Sequence, residues 1–205
     1  SSSLVLSVGT VFSKKCDKYV LKISTLSSLM NNSVTISPTT GIPNFLLGYW
    51  DSKIKVNSFD YLVGGLPKNP LPPYNYKAPF SPIDVIEEYT RPARMMINSK
   101  IVTKPALSEI EELDIIDAGK LEAFNTDGLR SLLITMDHIP NMKEKTLRYP
   151  GHAALIQSMI DKNLFDENNF KNTVQKLFDD WKLNDNEPEF TVLDINIYGS
   201  EKNIH

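Results

Sequence analysis

A proline-rich stretch is the feature that most restricts how this chain can fold. Six prolines fall within the 17 residues from Leu66 to Pro82. Because proline lacks a backbone N–H donor, this stretch can form neither a central strand nor the interior of a helix. The sequence therefore predicts a long, rigid loop here, and long ordered loops in compact domains often carry function.

Extended and helical patterns alternate around this loop. Apolar side chains recur at every second position from 59 to 63, which predicts a strand that ends in a turn at 64–65. Residues 81–82 are typical of a helix start, and residues 98–99 of a hairpin turn. The other predicted elements are strands over 4–8, 19–23, 121–124, 145–149 and 191–198, helices over 126–136, 152–160 and 170–181, and a solvated helix face over 109–114. This mixture predicts an α/β (α+β) domain with a mixed sheet.

Composition excludes several classes of protein. The 205 residues carry a formal net charge of −3, which argues against a nucleic-acid-binding surface. No apolar run approaches the roughly 20 residues that span a bilayer, and no secretory signal is visible, so we expect no membrane partner and a cytoplasmic location. A lone Cys16 excludes an internal disulfide, and neither His138 nor His205 has a neighbour at ligand spacing, so no metal site is expected.

Two glycines form the first candidate site. Gly64 and Gly65 lie between the predicted strand and the proline-rich loop. Because glycine lets the backbone approach a ligand closely, the pair is a candidate for substrate binding. The alternative is an ordinary turn.

The second candidate is the segment from Glu122 to Arg130. A change from strand to helix at Thr126 would expose backbone N–H groups that bind a carboxylate well. Arg130, one turn further on, could add two parallel donors to the same anion. The alternative is a capped helix in which Asp127 complements the helix dipole and Arg130 is solvated.

The third candidate is the segment from 144 to 152. Arg148 and Lys145 suit the recognition of a carboxylate, and Tyr149 or His152 could relay a proton. His152 lies just inside a predicted helix N-terminus, whose positive dipole end keeps the imidazole neutral. The alternative is a charged strand edge with a surface histidine.

Taken together and in order, these segments resemble the saccharopine dehydrogenase-like family. The likeness is strongest to its lysine 6-dehydrogenase and saccharopine reductase branch, and it runs from about Gly41 to Gly199. The segments that carry it are VGGLP at 63–67, PFSP at 79–82, IEEYT at 86–90, LEAF at 121–124, TDGLR at 126–130 and EKTLRYPGH at 144–152.

The resemblance implies the second domain of an NAD(P)-dependent amine oxidoreductase, one that binds substrate and forms a homodimer. Its fold would be a mixed sheet with helices on one face, like the C-terminal domain of glyceraldehyde-3-phosphate dehydrogenase. The reaction would be hydride exchange, through an imine, between NAD or NADP and a nitrogen-bearing carbon of a lysine- or saccharopine-like amino acid, and so part of lysine metabolism.

The resemblance also implies roles for the candidate residues. Arg148 would hold a substrate carboxylate, with Arg130 and Thr126 beside it. Tyr149 or His152 would handle the proton of the amine. Gly64 and Gly65 would border the substrate, and Lys145 would complete the catalytic group.

The dinucleotide fingerprint of the family, Gly-x-Gly-x-x-Gly, does not occur in this sequence. We therefore expect residues 34–205 to be the second domain in isolation, with residues 1–33 unassigned and the cofactor bound mainly by a domain outside this chain. The alternative is a non-catalytic binding or dimerisation module derived from the family.

Overall fold

The computed structural model describes residues 19–27, 38–78, 81–184 and 187–201. The predicted strand over 4–8 and the lone Cys16 lie outside these ranges. Within them, no helix is both long enough and apolar enough to cross a bilayer.

One sheet of eight strands organises the described residues. Its order is β1-β8-β2-β7-β3-β4, while β6 pairs with β7 and β5 pairs with β6. The β2–β7 pair is parallel and the other pairs are antiparallel, so the predicted mixed sheet is confirmed. The strands are β1 Tyr19–Ser27, β2 Ile54–Pro67, β3 Ala93–Ile97, β4 Lys100–Lys104, β5 Glu111–Ile115, β6 Gly119–Asn125, β7 Met142–Arg148 and β8 Glu189–Glu201.

The five helices found in the described residues pack on one face of this sheet, as expected. They are α1 Pro38–Asp51, α2 Pro82–Thr90, α3 Leu132–Thr135, α4 His152–Asp161 and α5 Glu167–Trp181. One apolar cluster joins α1 and α3 to β2 around Phe59, and a second joins α2, α4 and α5 around Trp181. Each fully buried large apolar side chain contributes about 1.5–3 kcal/mol to stability.

Strand register shows that both clusters lie on the same face. Tyr61 pairs with Glu144, and Phe124 pairs with Thr146. Paired residues share a face, and so do residues two apart in one strand. Tyr61 of the first cluster and Phe124 of the second therefore point the same way, and the polar side chains of β7 lie between the two clusters.

Several local predictions are confirmed. Helix α2 begins with Pro82 as its first residue, and the β3–β4 hairpin turns through Asn98 and Ser99, both with positive φ. Helix α4 follows Gly151, whose φ of 92° is a conformation that L-residues rarely adopt. Strand β1 covers the predicted strand over 19–23 and pairs with β8, while the domain division at residue 34 stays a prediction.

The predicted turn at Gly64-Gly65 is wrong. Strand β2 runs through both residues, which pair with Val192 and Thr191 of β8. A Cβ atom on Gly64 would lie 2.5 Å from the carbonyl oxygen of Leu147 in β7. Gly64 therefore permits a close approach between two strands.

The predicted helix over 126–136 is also wrong in its first half. The segment before α3 is not helical, and Arg130 has a positive φ of 43°. Asp127 cannot cap a helix here because its carboxylate binds Arg94 in two places, at 2.9 and 2.8 Å. The acidic segment over 109–114 is not a helix face either, since Glu111–Ile115 forms β5 and pairs with β6.

Candidate functional site

Three buried polar side chains of β7, Glu144, Thr146 and Arg148, lie between the two clusters, and Arg148 at the end of the strand is the cation among them. Its side chain is only 4% exposed. Its Nε donates a 2.8 Å hydrogen bond to the Tyr89 hydroxyl, and its Nη1 donates a 2.8 Å bond to the Leu147 carbonyl. The Tyr76 ring lies 4.4 Å from its guanidinium carbon, which adds a cation–π contact. Two neutral acceptors and an aromatic face thus position a charge that arginine cannot lose.

A directed chain of hydrogen bonds continues from Arg148 into α4. The Tyr74 carbonyl lies 2.8 Å from His152 Nδ1 and can only accept, so Nδ1 carries the proton. His152 Nε2 then accepts from the Tyr89 hydroxyl, 3.0 Å away. Tyr74 and Tyr76 both belong to the proline-rich loop, so this loop contacts Arg148 and His152 directly.

His152 is neutral, as predicted, but for a different main reason. Burial lowers its pKa to about 3, and the nearby positive charge of Arg148 lowers it further. Burial also raises the pKa of Tyr89, so its hydroxyl keeps the proton that it donates. His152 therefore orients the Tyr89 hydroxyl, and through it Arg148.

A buried acid, Glu144, lies two strand positions before Thr146 on the same face. Its Oε2 accepts hydrogen bonds from the Thr126 hydroxyl at 2.7 Å and from the Gly128 N–H at 3.1 Å. Burial raises the pKa of Glu144 to about 8, against the effect of the Thr126 hydrogen bond, and the charge of Glu88 raises it too. Glu144 is therefore mainly protonated at neutral pH.

The Glu144→Gln variant is expected to lose a pH dependence of stability. A glutamate in the unfolded chain titrates near 4.3, so the folded chain binds one more proton up to pH 8 or so. Its free energy of unfolding then falls as pH rises, by up to about 1.4 kcal/mol per pH unit. Glutamine has no proton to lose, so urea denaturation of the variant between pH 6.5 and 8 should show a flatter profile.

The pH window and a control variant isolate this effect. The lowered pKa of His152 costs stability only as pH falls below the unfolded value of about 6.5. Glu112→Gln, at an exposed side chain of β5, should keep the wild-type slope. Parallel profiles for wild type and Glu144→Gln would contradict the assignment.

A cluster of charged side chains from α2, β3 and the loops around them lies beside Arg148. Glu88, half-buried on α2, interacts electrostatically with Arg148, Arg130 and Arg91; burial raises its pKa and these arginines oppose the shift. Four guanidinium groups thus lie among four carboxylates, while Glu144 is largely neutral. The members are Arg91, Arg94, Arg130, Arg148, Asp84, Glu87, Glu88 and Asp127.

Carboxylates of the protein itself bind backbone N–H groups at the start of α4 and also in the segment after Thr126, where the sequence suggested a ligand. Glu122 accepts from Gly151 N at 2.9 Å and from Ala153 N at 2.6 Å, at the start of α4. Glu144 accepts from Gly128 N beside Thr126. Of the second candidate segment, exposed Arg130 is the donor group that remains open to solvent.

Lys145 and Tyr149 are not brought together with Arg148 and His152. They occupy odd positions of an extended segment and point to the opposite side of the sheet. Lys145 Nζ donates to the Glu109 carbonyl at 2.6 Å, and the Tyr149 hydroxyl donates to the Pro67 carbonyl at 2.8 Å. Their catalytic roles stay predictions, and so do the substrate-binding roles of Thr126, Gly64 and Gly65.

Sequence reasoning missed Tyr89, Glu88 and Arg91 as members of the site. Tyr89 and Glu88 belong to the segment 86–90, which carries the family resemblance, so this segment could have identified both residues. Arg91 lies outside the segments that the sequence singled out. In the described residues, no group of three or more histidine, cysteine or acidic side chains could hold a metal ion.

The fold defines the class of protein: an α+β domain with a mixed sheet and one helical layer. Residues 41–204 match the family described as "Saccharopine dehydrogenase C-terminal domain", and the chain belongs to this family. The resemblance found in the sequence is therefore confirmed.

A solved structure shares this fold. It is the apo histidine-tagged saccharopine dehydrogenase (L-Glu forming) from Saccharomyces cerevisiae, with a TM-score of 0.53 and 15% sequence identity. The match covers 79% of this chain and 53% of that chain, so the present chain spans about half the length of its relative.

Proposed function

We propose that this chain is the substrate-binding and oligomerisation domain of an NAD(P)-dependent amine oxidoreductase. Its substrates would be lysine or saccharopine-like amino acids, oxidised or reduced by hydride transfer through an imine. Family membership supports the dehydrogenase class. The observation that carries the substrate assignment is the buried guanidinium of Arg148.

Arg148 is suited to a substrate carboxylate for an electrostatic reason. A buried charge is costly unless it is paired, and the hydrogen-bond acceptors of Arg148 in the described residues are neutral. A ligand carboxylate would supply a negative charge in direct contact, and the planar guanidinium can bind it with two parallel N–H groups. Arg130, at the exposed rim, would attract the anion toward Arg148.

The described residues do not fit a dinucleotide cofactor. Gly64 and Gly65 lie within β2, and none of the described strands leads through a Gly-x-Gly-x-x-Gly turn into a helix. NAD or NADP would then be bound by residues outside the described ranges. The residues of this chain would bind and orient the amino acid.

Arg148→Met is expected to weaken the binding of L-lysine and saccharopine by at least about thirtyfold, because it removes the N–H groups that a carboxylate needs. Isothermal titration calorimetry on the full chain measures this, with circular dichroism to verify folding. Lys171→Gln, at an exposed cation of α5, should leave the affinities unchanged. Wild-type affinity in a folded Arg148→Met variant would remove Arg148 from the site, and no binding to wild type would refute the substrate assignment.

Oligomerisation through the second sheet face is the other part of the proposal. The five described helices lie on one face, while the opposite face carries partly buried apolar side chains, Leu62, Leu113 and Ile115, that pack on a buried cluster around Leu147. A two-fold interface would cover these side chains. Sedimentation velocity should then show a species of about twice 23.2 kDa, and a monomer at all concentrations would contradict a homodimer.

A non-catalytic binding module is the alternative, favoured by the missing dinucleotide fingerprint. Titration of NAD and of NADP into the full chain tests this alternative, because binding of either nucleotide would overturn it.

A further inference from the structure

Arg91 has a buried donor without a partner. Its Nε lies 3.1 Å from Asp127 Oδ2, and its Nη1 lies 4.0 Å from Glu87 Oε2. Its Nε and its Nη2 are both buried and have no hydrogen-bond partner among the described residues, although Nε lies within ion-pair distance of Asp127. Buried N–H groups in proteins are almost always paired, so Nη2 is suited to an acceptor that a ligand brings.

Glu88, three residues before Arg91 and near the end of α2, carries a charge of the opposite sign. It interacts electrostatically with Arg148, Arg130 and Arg91, yet no ion pair within 4.0 Å or hydrogen bond joins it to a described residue. Its carboxylate and the guanidinium groups around it are therefore separated rather than in contact. A ligand that carries both charges would interact with each of them.

We infer that Glu88 and Arg91 recognise the head group of an α-amino acid. The ligand carboxylate accepts from the free Nη2 of Arg91 and from Arg148, and the ligand α-ammonium lies against Glu88. The inference rests on the proposed function and adds to it Glu88, the residue that distinguishes an amino acid from a simple carboxylic acid.

The test compares three probes that differ by one group each. L-lysine carries both charges of the head group, 6-aminohexanoate lacks the α-ammonium, and 1,5-diaminopentane lacks the carboxylate. Calorimetry on the full wild-type chain should show L-lysine binding at least about tenfold more tightly than either of the others.

Glu88→Gln should weaken L-lysine binding at least about tenfold and leave 6-aminohexanoate binding unchanged. A merely structural role of Glu88 would weaken both probes alike. Arg91→Gln should weaken both carboxylate-bearing probes. Glu167→Gln is the matched control, because it makes the same exchange at an exposed position of α5; its affinities should stay within about twofold of wild type.

Equal losses for L-lysine and 6-aminohexanoate in Glu88→Gln, or equal binding of these probes by wild type, would overturn the inference. If one of these results were found while Arg148→Met still weakened L-lysine binding at least about thirtyfold, the proposed function would stand and this inference alone would fail. If the wild-type chain bound neither L-lysine nor saccharopine, both would fail.

Discussion

Replacing Gly64 with alanine is expected to lower the free energy of unfolding by about 3 kcal/mol, at the upper end of the cost of overpacking. The added Cβ would lie 2.5 Å from the Leu147 carbonyl oxygen, 2.8 Å from its Cβ and 3.1 Å from its carbonyl carbon. Two of these atoms are backbone, so β2 and β7 must move apart to make room. Urea denaturation of the two proteins measures the difference.

Gly65→Ala is the matched control for this experiment. It places the same methyl group one residue further along β2, where no atom of the described residues lies within 4 Å apart from those of its chain neighbours. Its effect should stay within about 0.5 kcal/mol, the range of harmless surface changes. Similar losses in both variants would show that glycine is needed here for some reason other than the approach of β7.

Gly64 also shows why the local sequence could not predict this part of the fold. A Gly-Gly pair after an alternating strand is typical of a turn, but it equally suits a strand that passes close to another backbone. The neighbour that decides between them, Leu147, is 83 positions away. By contrast, the hairpin at Asn98-Ser99 and the start of α2 depend on adjacent residues, and both were predicted correctly.

The distinction between features set by adjacent residues and features set by distant residues also applies to the candidate site. Arg148 and His152 were predicted as neighbours because a strand, a glycine and a helix start follow one another there. Successive side chains of a strand point to opposite faces. Because Lys145 and Arg148 are three positions apart, the sequence already implied that Lys145 points to the other face. The contribution of Tyr89 depends on a contact across 59 positions, which no local pattern shows.

Ionic interactions within the protein explain why the second candidate segment was interpreted wrongly. Thr126-Asp127 has the composition of a helix start, but Arg91 and Arg94 bind the Asp127 carboxylate. The N–H group of Gly128 then binds Glu144, and the predicted anion-binding amide is occupied by an internal acid. Local capping preferences of a few kcal/mol at most were overridden by these tertiary contacts.

Tyr89→Phe is expected to cost about 3 kcal/mol of stability, since it removes one hydroxyl that serves two buried groups. Arg148 Nε would lose its acceptor and His152 Nε2 would lose its donor, while the ring and its packing against Phe124 would remain. Each unsatisfied buried polar group costs about 1–3 kcal/mol, and more if it is charged. The free energy of unfolding in urea measures this loss.

Tyr49→Phe provides the comparison for Tyr89→Phe, because it deletes the same hydroxyl from a residue that is 50% exposed. Its effect should stay within about 0.5 kcal/mol. A second readout tests the direction of the hydrogen-bond chain: ¹⁵N NMR of the wild type should show His152 protonated on Nδ1 at neutral pH. A proton on Nε2, or a Tyr89→Phe variant as stable as wild type, would mean that Tyr89 does not connect Arg148 to His152 in the way that the distances indicate.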